Sequence, residues 1–359
     1  MSRITFNNRQ NHFFNTLKSS VDGYFQKNKL KKTGNWKLYL KAVILIPLAI
    51  VIYISLLIFP LHWFAALLLC AVLGFALACI GFNVMHDACH GSYSTRSWVN
   101  NLFSLSMNVL GSAAFIWKLK HNIVHHTYTN IDGIDDDIAK SPVFRECKTQ
   151  RWHPAHRFQH YYIFLLYGFS SLSWVFGTDY KKYFSQKVHN TPFKKMNFKE
   201  HIIFWLSKIL YMVIYIIIPA AVWGWGAWAI GFITMHFVLG FVLAIVFQLA
   251  HVVEHVEFEA VGKSPKKIEN EWAVYQVKTT ADFAPKNKLI TWLTGGLNYQ
   301  IEHHLFPKIS HVHYPAISNI VKEACRKFGI EYHYFPTMMA AVASHYRLMK
   351  EMGKRPEFI

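Results

Sequence analysis

Long apolar runs dominate the hydrophobic pattern of the chain, and four of them are long enough to cross a bilayer. They cover about residues 43–59, 63–84, 202–219 and 227–250. A spanning helix needs roughly 20 residues. A short turn at Pro60 and His62 separates the first two runs, and the sequence Trp-Gly-Trp-Gly at 223–226 separates the last two. The pattern therefore predicts an all-α integral membrane protein with four transmembrane helices in two hairpins.

The distribution of basic residues predicts the orientation. Lys and Arg are absent between Lys41 and Arg96 and between Lys208 and Lys263, so both hairpin turns lack them. Because Lys and Arg stay on the cytoplasmic side, we expect both termini and the central segment in the cytoplasm. In this single domain, residues 1–40 form a cytoplasmic N-terminal segment, and residues 85–201 and 251–359 form a cytoplasmic helical cap. A shorter run at 161–176 predicts an interfacial or buried helix.

Composition agrees with a membrane protein and narrows its partners. Apolar residues make up 53% of the 359 residues, and the net charge is +18. The basic residues flank apolar runs, which favours contact with anionic membrane lipids over nucleic acid. The five cysteines form no Cys-x-x-Cys pair, so we expect a reducing compartment. The first forty residues are polar and lysine-rich, which argues against a cleavable signal peptide.

Histidines lie in tight clusters outside the predicted spans. The sequence His-Asp-Ala-Cys-His follows the second span, His-Asn-Ile-Val-His-His lies in the central segment, and Gln-Ile-Glu-His-His lies near the C-terminus. The clustered histidines are His86, His90, His121, His125, His126, His303 and His304, and the fourth span is followed by His251 and His255. The predicted topology brings all nine to one cytoplasmic mouth. Histidines four residues apart share a helix face, so each such pair can offer two imidazoles to metal.

The number and type of these residues indicate a site for two metal ions. One tetrahedral zinc takes about four ligands, and nine candidate histidines exceed that number. Nitrogen ligation with few carboxylates suits iron that activates oxygen better than calcium or magnesium. His62 and His236 are interpreted as structural, and His153, His156 and His160 as a polar cytoplasmic surface. For His311 and His313 we expect surface roles or contacts with the ligand histidines.

The three clusters resemble the histidine boxes of integral-membrane fatty acid desaturases, over about residues 40–335. The pattern His-Asp-x-x-His, then His-x-x-x-His-His-x-x-x-Asn, then Gln-x-x-His-His is highly specific. The third box begins with a glutamine, Gln300, and in this it resembles the front-end group, which includes Δ5, Δ6 and sphingolipid-type enzymes. Three further segments also resemble the desaturase family, namely Asp135–Ile138, Gln248–His251 and Leu305–Pro307.

The resemblance implies a di-iron centre that uses O₂ and two electrons to introduce a C=C bond into a fatty acyl chain. It supports His251 as a further iron ligand more strongly than His255. Many front-end enzymes carry a fused cytochrome b5 domain with a His-Pro-Gly-Gly motif, which this sequence lacks. We therefore expect a separate electron donor, either ferredoxin or cytochrome b5 with its reductase, and an acyl-CoA or acyl-lipid substrate.

Several polar residues within the boxes are expected to support the ligands rather than bind metal. Ligating imidazoles commonly donate their other N–H to a carboxylate, which suits Asp87, Asp135 and Glu302. Asn130 extends the second box. Gln300 is expected to bond a metal-bound water.

Two alternatives remain open at this point. A lipid hydroxylase or ketolase would use the same boxes, and the sequence hardly separates these reactions from desaturation. A histidine-rich metal transporter is the alternative from another class. Transporters place their polar groups near the bilayer midplane, whereas these clusters lie beyond the span ends. The sequence therefore favours a fatty acyl desaturase, and the resemblance implies the front-end type.

Overall fold

The computed structural model describes residues 4–8, 11–138, 142–193, 195–261 and 267–356, and these are mostly helical. The α-helices are α1 His12–Lys27, α2 Trp36–Ile58, α3 Trp63–Ile80, α4 His86–His90, α5 Ser97–Ser104, α6 Ser106–Val109, α7 Ala114–Lys118, α8 His126–Tyr128, α9 Gln159–Gly168, α10 Ser170–Ser173, α11 Asp179–Ser185, α12 Phe198–Met212, α13 Ile218–His251, α14 Trp272–Lys278, α15 Lys288–Leu293, α16 Gln300–Leu305, α17 Tyr314–Phe328 and α18 Met338–Met352. Four π-helical segments continue these helices at Gly81–Met85, Leu119–His125, Trp174–Thr178 and Val213–Ile217, and 3₁₀ turns lie at Pro154–Phe158 and His311–His313.

Each strand has two residues, and three of the four strand pairs join segments that are distant along the chain. They are β1 Thr5–Phe6, β2 Ile131–Asp132, β3 Lys187–Val188, β4 Thr191–Pro192, β5 Glu259–Ala260, β6 Lys267–Ile268, β7 Asp282–Phe283 and β8 Tyr334–Phe335. β1 pairs with β6, β2 with β5 and β7 with β8 in parallel, whereas β3 and β4 are antiparallel. The β2–β5 pair ties the segment after the second histidine box to the segment after α13.

Three helical stretches in the described residues are long and apolar enough to cross a membrane. They cover Trp36–Ile58, Trp63–His90 and Phe198–His251. The first begins seven residues before the predicted span, because Asn35 caps it by accepting a hydrogen bond from the Lys37 backbone N–H. The second runs beyond the predicted end through a π-helical segment to His90. A bent pair of shorter helices, Ser97–Val109 and Ala114–Tyr128, would add a fourth crossing if it counts as one span.

The third long helix is 54 residues long and folds back on itself at Gly224. Gly224 has a φ of +78°, which breaks the helical path inside the predicted Trp-Gly-Trp-Gly turn. On either side of this point the chain runs antiparallel to itself. The Trp228 indole donates to the Tyr215 carbonyl, and the Tyr211 hydroxyl contacts His236. The predicted third and fourth apolar runs are therefore the two arms of this bent helix.

The apolar core lies where α3, α9 and α13 pack together. Gly74 on α3 permits the closest approach, because a Cβ there would lie 2.2 Å from the Met235 carbonyl oxygen on α13. The predicted short run at 161–176 is helical but broken, since it contains most of α9, all of α10 and the start of a π segment. α9 packs along α13, with a buried face that includes Ile163 and Tyr167.

A second core lies outside the long apolar helices and was not anticipated. The N-terminal helix α1 buries Phe13, Leu17, Val21 and Phe25 against residues of α14, α16 and α17. The spacing of four residues places these side chains on one helix face. This packing includes Ile301 and Leu305 of α16, the helix that carries the third histidine box.

Candidate metal centre

The first histidine box begins where the second long helix loosens into a π-helical segment. Gly81–Met85 is π-helical, and His86 and His90 follow on α4. π-segments inside α-helices occur frequently at functional sites. Both imidazoles are buried, with ring centroids 4.7 Å apart. Gly91, with a φ of +72°, ends the helix immediately after His90.

The second box also lies on a π-helical segment rather than on the regular α-helix that the spacing predicts. Leu119–His125 is π-helical and carries His121 and His125, and His126 opens α8. His121 and His125 remain neighbours, with nearly parallel rings whose centroids are 5.2 Å apart. Trp117, one turn earlier, stacks on His121 with a centroid distance of 4.3 Å.

The remaining histidines come from two distant segments. His251 is the last residue of α13, and His303 and His304 lie on α16. His303 lies over the first box, with its ring centroid 4.5 Å from that of His86. His304 lies 4.8 Å from His251 and 4.4 Å from His126.

Eight histidines thus form one buried cluster that divides into overlapping groups. In each group the potential ligand atoms lie within 4.8 Å of one another. The groups are His86, His90, His121 and His303; His125, His251 and His304; His126, His303 and His304; and His121, His125 and Asp137. The third group shares His303 with the first group and His304 with the second. Each of these groups could hold a metal ion.

Many ring nitrogens in this cluster lack a protein partner. Within the described ranges, the buried Nε2 atoms of His90, His125, His303 and His304 form no hydrogen bond. His121 Nε2 lies 3.3 Å from His86 Nε2 and 3.2 Å from His126 Nε2. Neutral imidazole has only one N–H, so three converging nitrogens cannot satisfy one another. Buried polar atoms normally have partners, and bound metal ions would supply them.

The protonation state also suits metal binding. Burial, with the neighbouring His86 and His126 rings, holds the pKa of His303 well below its usual range. Burial and the rings of His126 and His251 do the same to the pKa of His304. Both side chains are therefore neutral at pH 7 and present lone pairs, as ligating imidazole requires.

Hydrogen bonds on the far side of the rings fix their direction. As predicted, Asp135 faces a ligand candidate, with its Oδ2 3.0 Å from His125 Nδ1. His304 Nδ1 lies 2.8 Å from Gln276 Oε1, and His303 Nδ1 lies 3.1 Å from the Tyr314 hydroxyl. Each bond leaves Nε2 as the nitrogen that faces the cluster interior.

Gln276 and Tyr314 were not predicted from the sequence. Each lies outside the boxes, and the sequence carries no local signal for it. Gln276 reaches His304 because α14 packs on α16, and Tyr314 reaches His303 because α17 follows α16 closely.

Two residues expected to bond ligand histidines have other partners. Asp87 accepts a hydrogen bond from the Ser310 hydroxyl and lies 3.0 Å from His311 Nδ1. Glu302 bonds the Tyr332 hydroxyl at 2.9 Å and lies beside the equally buried Asp282. Burial raises the pKa of Asp282 to about 6. These expectations were wrong in detail, because on α4 and α16 the carboxylates point away from the adjacent imidazoles.

Asn130 and Gln300 belong to other segments, but both lie close to His251 at the C-terminal end of α13. Asn130 has a φ of +56° and donates to the backbone carbonyls of His251, Glu257 and Thr279. It therefore joins the second box to the residues around His251 without touching an imidazole. Gln300 is buried beside His251, a placement compatible with the predicted contact to metal-bound water.

His255 does not join the cluster. The helix ends at His251, so the predicted shared face of His251 and His255 does not exist. His255 is exposed, has a φ of +74° and stacks on His333 with a centroid distance of 6.0 Å. Its inclusion among the ligand candidates was wrong, because the backbone turns away from the cluster immediately after α13.

Three of the histidines buried outside the cluster are His156, His160 and His236, and the sequence predicted the role of only one of them correctly. His236 is buried and bonds Ser171 and Tyr211, in keeping with a structural role. His156 is also buried and lies 2.8 Å from the Pro142 carbonyl. The expectation of a polar surface at His153, His156 and His160 was therefore wrong for His156 and His160, which are 0% and 5% exposed.

The donor set of the cluster fits the iron inferred from the sequence. All eight histidines offer nitrogen, and the nearest carboxylate in a group is Asp137. Comparison with known sequences decides the family, because residues 61–336 match the model for fatty acid desaturase. The chain belongs to the fatty acid desaturase family. The matched range contains every histidine of the cluster.

Relatives of this desaturase cover nearly its whole length. It is 36% identical to the sn-1 linoleoyl-lipid 6-desaturase of Arthrospira platensis, over 99% of this chain and 96% of the relative. It is 36% identical to the enzyme of the same name from Synechocystis sp., over 98% of each chain. The acyl-lipid (8-3)-desaturase of Physcomitrium patens is 33% identical, over 95% of this chain and 72% of the relative. The desaturase is thus an oxidoreductase of fatty acid metabolism, and the transporter alternative is not supported.

Proposed function

We propose that this desaturase is a front-end acyl-lipid enzyme that holds two iron ions in its eight-histidine cluster. The observation that carries the proposal is a pair of buried imidazole groups, joined by a third group that shares a histidine with each, in which several ring nitrogens lack a protein partner among the described residues. The names of the relatives support the acyl-lipid substrate and a new double bond at carbon 6 of a linoleoyl chain. Acyl-CoA is the alternative carrier.

The proposed ligands follow the two groups. One iron is assigned to His86, His90 and His121, and the other to His125, His251 and His304. His126 and His303 complete the two sets. When bound, the two irons supply the oxidising power, from O₂ and two electrons, for removal of two hydrogens from adjacent methylenes.

The protein's own part in this reaction is orientation and exclusion of water. Asp135, Gln276 and Tyr314 hold the rings that they bond, and the whole cluster is buried. An apolar cluster of Met85, Cys89, Met107, Ala114 and Trp117 lies against the first box. We assign the acyl chain to this side, because its methylenes carry no polar group and can pack against the apolar wall. Such a wall acts on the chain only by positioning it.

The membrane arrangement is also part of the proposal. Four spans in two hairpins would leave both termini and the histidine cluster in the cytoplasm, in agreement with the distribution of Lys and Arg. The fold-back at Gly224 supports the second hairpin. A cytoplasmic site is accessible to a separate electron donor, which we propose to be ferredoxin or cytochrome b5 with its reductase.

Iron content is the first test. Protein purified in detergent from iron-supplemented cells is expected to contain about two irons per chain, because eight nitrogen ligands exceed the four to six that one ion takes. Elemental analysis by mass spectrometry measures the ratio. One tightly held zinc per chain and no iron would contradict the proposal.

Product analysis tests the reaction and its position. A host that lacks polyunsaturated lipids, supplied with linoleate and a reduced ferredoxin system, is expected to accumulate a linoleoyl lipid with one more double bond, at carbon 6. Gas chromatography with mass spectrometry of the released acyl chains locates the bond, and the host without the desaturase is the control. A product heavier by one oxygen would indicate a hydroxylase, and a bond on the methyl side of the existing ones would exclude the front-end class.

A further inference from the structure

A lysine is buried near the start of the first long helix. Lys41 on α2 is only 6% exposed, and its Nζ has three acceptors: Asn83 Oδ1 at 2.8 Å, the Trp292 carbonyl at 3.2 Å and His311 Nε2 at 3.0 Å. An ammonium group has three hydrogens, so each can be directed to one acceptor. Burial of a charge is costly unless the charge is paired. Because all three hydrogens of this ammonium group have acceptors, we infer that Lys41 has a specific structural role.

His311 connects this lysine to the first histidine box. An ammonium can only donate, so His311 Nε2 accepts and the proton of the neutral ring lies on Nδ1. Nδ1 lies 3.0 Å from Oδ2 of Asp87, and the His311 and Asp87 side chains are 1% and 2% exposed. Asp87 also accepts from the Ser310 hydroxyl at 2.6 Å. The contact at His311 Nδ1 lacks the geometry of a hydrogen bond, and the His311 backbone N–H donates to Asp87 Oδ2 at 3.3 Å. The opposite charges of Lys41 and Asp87 therefore lie on either side of one buried imidazole.

The surroundings of Lys41 join the same segments a second time. Asn83 lies in the π-helical segment before His86, and its Nδ2 donates to the Cys79 and Leu293 carbonyls. Gly295, with a φ of +59°, lets the loop press on this segment, because a Cβ there would lie 2.4 Å from the Phe82 carbonyl oxygen. The loop that precedes α16 is thus held against the helix of the first box.

The relative position of these segments determines whether the ligands meet. His303 lies on α16, and its ring centroid is 4.5 Å from His86 and 4.9 Å from His90. More than 200 residues separate His90 from His303 along the chain. Only packing and polar contacts such as those of Lys41 hold them in place, and metal sites tolerate little displacement.

We propose that Lys41 is a positioning residue for the metal cluster. Through His311 and Asp87 it sets the place of His86 and His90 against the segment that carries His303. The inference rests on the proposed function, because it concerns the proposed ligands. Lys41 lies outside the cluster and binds no metal in this scheme.

Cobalt(II) binding provides a test without turnover, because histidine-bound cobalt has visible absorption that reports its ligand geometry. In the purified full chain, Lys41→Met is expected to weaken cobalt binding about tenfold, the lower end for residues that support metal ligands. It should also alter the absorption intensity per bound ion. Titration against a competing chelator measures the affinity.

Lys208→Met is the matched control. Lys208 is another buried lysine on a long helix and pairs with Asp179 at 2.9 Å, but none of its hydrogen bonds in the described residues reaches a histidine. It should lower the unfolding temperature as Lys41→Met does, with cobalt affinity within about twofold of the wild type. Equal weakening in both variants would assign the effect to general destabilisation and overturn the inference.

His311→Gln is the second variant and remains informative if Lys41→Met fails to fold. It removes the bridge and leaves Lys41 its contacts with Asn83 and Trp292, and we expect a similar loss of cobalt affinity. Because the two residues act in series, the double variant should bind cobalt no more weakly than His311→Gln alone. Additive losses, or wild-type affinity in either single variant, would overturn the inference. Absence of cobalt binding to the wild type would instead contradict the proposed function.

Discussion

His303→Ala is expected to abolish desaturation and to remove most of the bound iron. His303 belongs to two of the histidine groups, one with His86, His90 and His121 and the other with His126 and His304. Its loss therefore takes a nitrogen from the region that both proposed irons share. We expect product below detection and iron below about one per chain, since loss even of a residue that supports a ligand costs 10- to 100-fold. Product analysis and elemental analysis on the same preparation measure both effects.

The matched control for this variant is His236→Ala. His236 is also fully buried, but it lies on α13, 15 residues before His251, or roughly 22 Å along the helix. Its loss leaves Ser171 and Tyr211 without a partner ring and should lower stability by about 1–3 kcal/mol. Iron content should remain at the wild-type value. Full activity in His303→Ala, or loss of iron in a folded His236→Ala, would contradict the assignment of the site.

His251→Ala should lose activity and about half of the iron, whereas His255→Ala should retain both. His251 ends α13 with its ring 4.8 Å from those of His125 and His304. Its removal leaves the second proposed iron with too few nitrogens, while the first group stays complete. His255 is exposed beyond the end of the helix, and a surface substitution of this kind changes stability by at most about 0.5 kcal/mol.

Paired measurements on the two variants decide this point. Iron content distinguishes loss of one ion from loss of both, and the unfolding temperature reports whether either variant is damaged elsewhere. Equal losses of iron in the two variants would restore His255 to the site. A fully active His251→Ala would remove the end of α13 from the metal centre.

Most of the metal centre could be predicted from the sequence, because its ligands lie in short motifs. His86 with His90 and His125 with His126 are close along the chain, so local geometry alone keeps them together. The apolar runs also predicted that the first box follows the second span and that His251 follows the fourth span. The turn at Gly224 was predicted for a similar reason, since only local backbone conformation breaks a helix there.

Residues whose role depends on packing could not be predicted in this way. Gln276 and Tyr314 lie on helices without a motif, and only the packing of α14 and α17 on α16 brings them to His304 and His303. Asp87 was expected to bond an adjacent histidine. Instead its side chain points away from α4 and contacts His311, which is 224 residues away along the chain. The packing of α1 through Phe13, Leu17, Val21 and Phe25 was not predicted either, because the first forty residues are polar and lysine-rich overall.

The sequence by itself determined that this protein is a helical membrane protein with histidine boxes outside its spans, because hydrophobic length and motif spacing are local properties. Only the tertiary structure decided that eight histidines meet, that His255 stays apart and that Lys41 faces the first box through His311. The physical reason is that these outcomes depend on where helices end and how they pack. A helix that stops at His251 turns the next histidine away, whatever its spacing along the chain.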